Sequence, residues 1–165
     1  MKIYIIAVGN VKESYYKEGT AEYLKRISRF SDIEIIEVKE EKIPERAAKK
    51  ECEQIKAREA ESISRQIRSI RKANHASVVI ALDVKGAALD SEKFAHRIGD
   101  YMSAGKSTLI FVIGGSLGLG DGFLGNVDLR FSMSALTFPH RLARLILAEQ
   151  LFRAFKILAG ETYHK

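Results

Sequence analysis

Short, unbroken apolar runs alternate along this chain with longer stretches in which apolar residues recur every three or four positions. The runs at 2–8 (KIYIIAV), 77–82 (SVVIAL) and 108–113 (TLIFVI) carry few polar side chains, which suits strands covered on both faces of a parallel sheet. A weak alternation at 32–38 and a short run at 128–134 predict two more strands. Between them, 14–29 places Tyr16, Tyr23, Leu24 and Ile27 on one helical stripe, with Arg26 and Arg29 near the end that favours cations. Pro44 fits the opening position of a long helix over 45–72, striped by Ala48, Cys52, Ile55, Ile63, Ile67 and Ile70. Asp90-Ser91-Glu92 starts a helix whose Phe94, Ile98, Tyr101 and Met102 face inward and which Gly105 stops. The last helix covers 139–158, with Leu142, Leu145, Ile146, Leu151 and Phe155 apolar. This alternation predicts one α/β domain over 1–165, a parallel sheet with helices on both faces.

The punctuation between elements carries the chemistry. Residues 120–125 match G-x-G-x-x-G literally, but a dinucleotide fingerprint must leave a strand directly and open a helix. Here six residues separate the motif from Ile113, and the residues after Gly125 are strand-like. No Gly-Lys-Ser/Thr completes a P-loop. Gly114, Ser116 and Gly118 satisfy G-x-S-x-G, yet the glycines after Ser116 make a poor start for the helix a nucleophile elbow needs. Three segments come after strand ends in the second half: 82–86, 114–120 and 133–138. If their strands are neighbours, they converge on one pocket of backbone amides, carbonyls and apolar side chains such as Leu82, Leu117, Leu136 and Phe138. That suits an adenine ring read by main-chain hydrogen bonds, in a nucleoside-type cofactor without a phosphate tail. The alternative is a glycine-rich loop with no ligand.

Composition narrows the classes. The 165 residues are 46% hydrophobic and 29% charged, an ordinary globular balance. A single cysteine, Cys52, excludes an intrachain disulfide and a thiolate metal cluster, and the four histidines lack short ligand spacing, so no metal is expected. No apolar segment approaches membrane-spanning length, and the default location is cytoplasmic. The net charge of +6 makes a polyanion a plausible partner. The charged helix over 45–72 is either a solvated face with i,i+4 ion pairs or a phosphate-contacting one through Arg65, Arg68, Arg71 and Lys72.

Five segments then resemble one family in order and over the whole length: 82–86 (LDVKG), 113–118 (IGGSLG), 132–140 (SMSALTFPH), 147–154 (LAEQLFRA) and the terminal Tyr163-His164-Lys165. They are similar to the ribosomal RNA large subunit methyltransferase H family of SPOUT methyltransferases, and Ala7-Val8-Gly9 resembles that family's start. The resemblance implies a SPOUT fold with a C-terminal deep trefoil knot and a homodimer. It implies methyl transfer from S-adenosylmethionine to N3 of a pseudouridine in large-subunit rRNA of the assembled ribosome.

The cofactor contacts implied by the resemblance fall on Leu82, Gly114, Met133, Ser134, Ala135, Leu136, Thr137 and Phe138. The catalytic candidates are His164, as base or hydrogen-bond partner, and Arg144, as stabiliser of the pseudouridine anion; Tyr163 and His140 are the substrate candidates. For Arg144 the plain alternative is a helix-surface ion pair. Where the family places Pro-Glu, this chain has Ser116-Leu117, which puts a carboxylate's role there in doubt. Two other classes remain open: an RNA- or ribosome-binding assembly factor with little activity, and a regulatory or oxidoreductase domain binding ATP or NAD.

Overall fold

The computed structural model describes residues 1–163. Five strands, β1 (Lys2–Val8), β2 (Asp32–Val38), β3 (Ser77–Ala88), β4 (Thr108–Ile113) and β5 (Leu129–Ser132), alternate with helices. These are α1 (Ser14–Ile27), α2 (Lys49–Ala73), α3 (Ser91–Ser103), the single-turn α4 (Asp121–Leu124) and α5 (His140–Leu158). The strands pair only in parallel, in the order β2-β1-β4-β3-β5.

The unbroken apolar runs are the inner strands, because a strand covered on both faces has no side to spare for polar residues. All of β4 is buried, and Ile3, Ile5, Ile6, Ala7 and Val8 of β1 are buried with it. Side chains alternate across the pleat. Ile3, Ile5, Ile80, Leu109, Phe111 and Ile113 join α1, α3 and α5 on one face, through Ile27, Phe94, Ile98, Leu147 and Leu151. Ile6, Val8, Val79, Ile110 and Val112 meet Ile63, Ile67 and Ile70 of α2 on the other. Each large aliphatic or aromatic side chain so buried stabilises the fold by about 1.5–3 kcal/mol. Helices on both faces of a parallel sheet is thus the observed fold class.

Several boundaries differ from the sequence expectation. β3 does not end at Leu82 but continues to Ala88, its register on β5 shifting between Leu82 and Ala87. Residues 83–86 read as a turn because Asp, Lys and Gly disfavour strands. Gly86 is there because a methyl group on it would lie 2.6 Å from the carbonyl carbon and oxygen of Arg130 and 2.7 Å from Phe131 N. Arg130 Nε also donates to Asp83 Oδ2 at 2.7 Å, fastening the bulged segment to β5. α2 begins at Lys49, four residues later than expected; Pro44 sits in a turn closed by Ala47 N–H donating to its carbonyl at 3.1 Å. The fifth strand is shorter than 128–134, and Met102, expected inward, is exposed. Asp90 caps α3 as its position suggested, accepting from Lys93 N–H at 2.7 Å, and Gly105 follows the helix at φ +73°.

Candidate cofactor site

Because β3 lies between β4 and β5, the segments after β4 and β5 converge with residues 82–84, which belong to β3 itself rather than to a loop after it. They enclose a cavity of about 580 Å³ at the carboxyl end of the sheet, within the roughly 300–1,000 Å³ of small-molecule sites. Leu82, Gly114, Met133, Ser134, Leu136, Thr137, Phe138 and His140 all line it. Ala135 does not; it is exposed on the outside of the same loop.

Each wall has a local cause. A methyl group at Gly114 would come 2.9 Å from the Gly118 carbonyl carbon and 3.0 Å from Leu119 Cγ, so the turn closes only with glycine there. Gly118 itself stands at φ +72°, and its N–H donates to Gly115 O at 2.9 Å. The 132–138 loop is held by serines: Ser132 Oγ donates to Ser134 O, and Ser134 Oγ accepts from Leu136 N–H, each at 3.0 Å. Such short side-chain bonds let a non-regular segment keep one shape. Leu136 is left 71% exposed at the cavity rim.

The first turn of α5 forms the polar corner. His140 Nε2, Arg141 Nε and Arg144 Nε are buried without a hydrogen-bond partner among the described residues. Burial pushes the His140 imidazole below its ordinary 6.5, against a smaller opposing pull from Glu40. His140 is therefore neutral at pH 7. Arg141 is tied to Glu13 at 2.5 Å.

Arg144, the expected anion stabiliser, is not part of the cavity wall. Its side chain is 1% exposed and does not line the cavity. Nη2 donates to the main-chain oxygens of Val8 and Gly9 at 2.7 and 2.6 Å, and Nη1 to Glu37 Oε1 at 2.7 Å. Those bonds hold the guanidinium at the end of β1, in an ion pair that is buried on the arginine's side rather than on the helix surface. Tyr163 also lies away from this cavity in its own chain. Its ring packs edge-on against Phe152 at 4.9 Å, and its hydroxyl donates to Glu149 Oε1 at 3.2 Å. Burial, first of several causes, pushes that phenol up to about 12. His164 lies outside the described residues.

Glu59 escaped the sequence reading. It is 4% exposed on α2, with its carboxylate against Gly115 and accepting from Glu41 N–H at 3.1 Å. Burial raises its pKa above the ordinary 4.5, and Glu40 and Glu41 push the same way. The signal was present: Glu59 stands four residues from both Ile55 and Ile63, on the inward stripe.

Residues 1–164 match the family model described as "Predicted SPOUT methyltransferase". The chain is 48% identical to ribosomal RNA large subunit methyltransferase H of Carboxydothermus hydrogenoformans and 46% identical to that of Acetivibrio thermocellus, over 100% of both chains in each case. It belongs to this SPOUT methyltransferase family. Among solved structures, a probable methylase family protein from Haemophilus influenzae superposes with a TM-score of 0.55 at 16% identity, over 99% of this chain and 70% of that one. A probable methyltransferase from Bordetella pertussis gives 0.51 at 14%, over 93% and 95%. These two show the shared fold.

S-adenosylmethionine is the cofactor of such an enzyme, and the cavity fits it. Its walls are Gly114, Gly115, Ser116 and Gly118 on one side and the 133–138 loop on the other, with Leu82, Met133 and Phe138 as apolar surface. Among the described residues no group of three or more His, Cys, Asp or Glu is arranged to hold a metal ion, and no helix is long and apolar enough to cross a membrane.

Proposed function

We propose that this chain methylates N3 of a pseudouridine in large-subunit rRNA of the assembled ribosome, as a cytoplasmic homodimer. The observation that carries the reading is the end-to-end similarity, at 46–48% identity, to proteins named for large-subunit rRNA methylation. The net charge of +6 suits an RNA substrate. The deep trefoil knot implied by the resemblance is part of the same reading.

S-adenosylmethionine supplies an electrophilic methyl group, so the chain's own work is positioning and proton handling. Attack must be in line, with the reacting atoms about 3–3.5 Å apart. The glycine turn and the serine-pinned loop provide rigid walls for that alignment. N3 of pseudouridine carries an imide proton that must leave, and its removal calls for a base or a hydrogen-bond partner. His164 is assigned that role, with Tyr163 and His140 meeting the base. Tyr163 lies away from the cavity of its own chain, which suits a tail that serves the partner subunit's cavity in the homodimer. The target base must leave its stack to enter.

The test is methyl transfer on intact ribosomes compared with free rRNA, with the product base identified by mass spectrometry. Transfer to ribosomes at pseudouridine N3 is expected. S-adenosylmethionine binding without transfer would instead identify an assembly factor, and preferential binding of ATP or NAD would overturn both readings.

A further inference from the structure

A methyltransferase of 165 residues folded as one α/β domain needs a surface that grips RNA. The obvious candidate is the arginine stripe of α2, and the structure largely neutralises it. Arg68 is paired with Glu61 at 2.8 Å, and Arg71 lies 3.6 Å from Asp128 and donates to Ser77 Oγ. Only Arg65 and Lys72 of that stripe have no carboxylate within ion-pair distance among the described residues.

A second group of cations, close together in sequence, lies at the other end of α2. Lys39, Lys42, Arg46, Lys49 and Lys50 are all exposed, and none has a carboxylate within 4.0 Å among the described residues. The acids interleaved with them are turned toward the protein. Glu40 Oε1 accepts from Ser116 Oγ at 3.1 Å, and Glu41 Oε2 accepts from Arg58 Nε at 3.0 Å. The Glu41 N–H is anchored on the buried Glu59. Among the carboxylates of 39–50, Glu45 alone is left to solvent. Lys49 and Lys50 occupy the first turn of α2, where positive charge opposes the helix dipole, so helix stability does not account for them.

The position matters as much as the sign. Ser116 lines the cofactor cavity, so the bond from Ser116 to Glu40 ties the start of this basic segment to the cavity wall. We propose that 39–50 is an RNA-gripping arm: its cations hold phosphates of the substrate strand next to the cofactor cavity, while its acids lock it to the cavity wall. The arm rests on the reading that the substrate is RNA.

The experiment uses the full chain with Lys42→Gln, Arg46→Gln, Lys49→Gln and Lys50→Gln combined, binding to intact ribosomes being measured between about 50 and 200 mM salt. Each cation removed from a phosphate should reduce the slope of log K against log[salt] by roughly 0.7, so the combined variant should differ by up to about 3 units. Its KM for ribosomes should rise while calorimetric affinity for S-adenosylmethionine stays unchanged. Arg65→Gln with Lys72→Gln is the control and should change the slope less. If the combined variant loses S-adenosylmethionine affinity, the pair Lys42→Gln and Arg46→Gln, outside the helix, is read instead, with about half the slope change expected. A slope and KM equal to those of the unaltered chain would overturn the arm and leave the methyltransferase reading standing. An unaltered chain that neither binds nor methylates ribosomes would remove both.

Discussion

Gly86→Ala is the most direct probe of how the fold shapes the cavity. The added methyl would meet three main-chain atoms of Arg130 and Phe131 at 2.6–2.7 Å, against the 3.4–4 Å of ordinary contact. No side chain can swing away to relieve this, so β3 and β5 must separate by close to an ångström. β5 is a four-residue edge strand, and moving it outward is the easiest relief. Overpacking of this kind costs about 3 kcal/mol, the upper part of its usual range, which for a domain this size is roughly 6–12 °C in Tm. The displacement also drags the 132–138 loop, the cavity wall that comes directly after β5. Affinity for S-adenosylmethionine should therefore fall at least about tenfold, equivalent to ~1.4 kcal/mol. Differential scanning calorimetry and titration calorimetry on the same preparation read both effects. A variant with unchanged Tm and unchanged affinity would refute the claim that this crossing sets the cavity.

Arg144→Met removes the donors to Val8 O and Gly9 O, and urea unfolding should show a loss of about 3 kcal/mol; intact stability with lost methyl transfer would mean the guanidinium acts on substrate after all. Glu59 has a folded pKa above its ordinary 4.5, so its contribution to stability is fully present below that value and is lost as pH rises through the folded pKa. Glu59→Gln keeps an acceptor for Glu41 N–H and should match the unaltered chain near pH 4 but exceed it in stability at about pH 7.5; the reverse ranking in urea unfolding at both pH values would contradict the assignment. Deleting 162–165 should abolish methyl transfer while S-adenosylmethionine affinity stays nearly intact, and normal turnover by the truncated chain would exclude the tail from the chemistry.

What could be read from the sequence was local. The apolar runs of β1 and β4 announce buried parallel strands, and the glycine and serine segments after β4 and β5, with the 82–86 stretch that proves to be part of β3, announce a shared cavity before their adjacency is known. Arg144 was illegible for the opposite reason. Its acceptors Val8 O and Gly9 O lie more than 130 residues earlier, and no helical spacing encodes such a bond. Gly86 looks like the glycine of a turn, whereas it marks a close crossing of two backbones. The start of α2 comes later than its sequence suggests because Pro44, which fits the opening position of a helix, instead begins a turn that Ala47 closes. The short α4 is hidden because Gly122 inside it and Gly120 and Gly125 at its ends argue against any helix.

The strand order has a consequence during synthesis. β1 can pair with β2 as soon as residue 38 is available, but its other edge is reserved for β4, which begins at residue 108. About 70 residues separate the two events, or roughly 4–14 s at 5–20 residues per second. Throughout that interval the nascent chain presents an open strand edge carrying Ile3, Ile5 and Ile6, the kind of edge that templates pairing with another chain. Fragments ending before residue 108 should therefore aggregate more readily than the full chain, which light scattering would read.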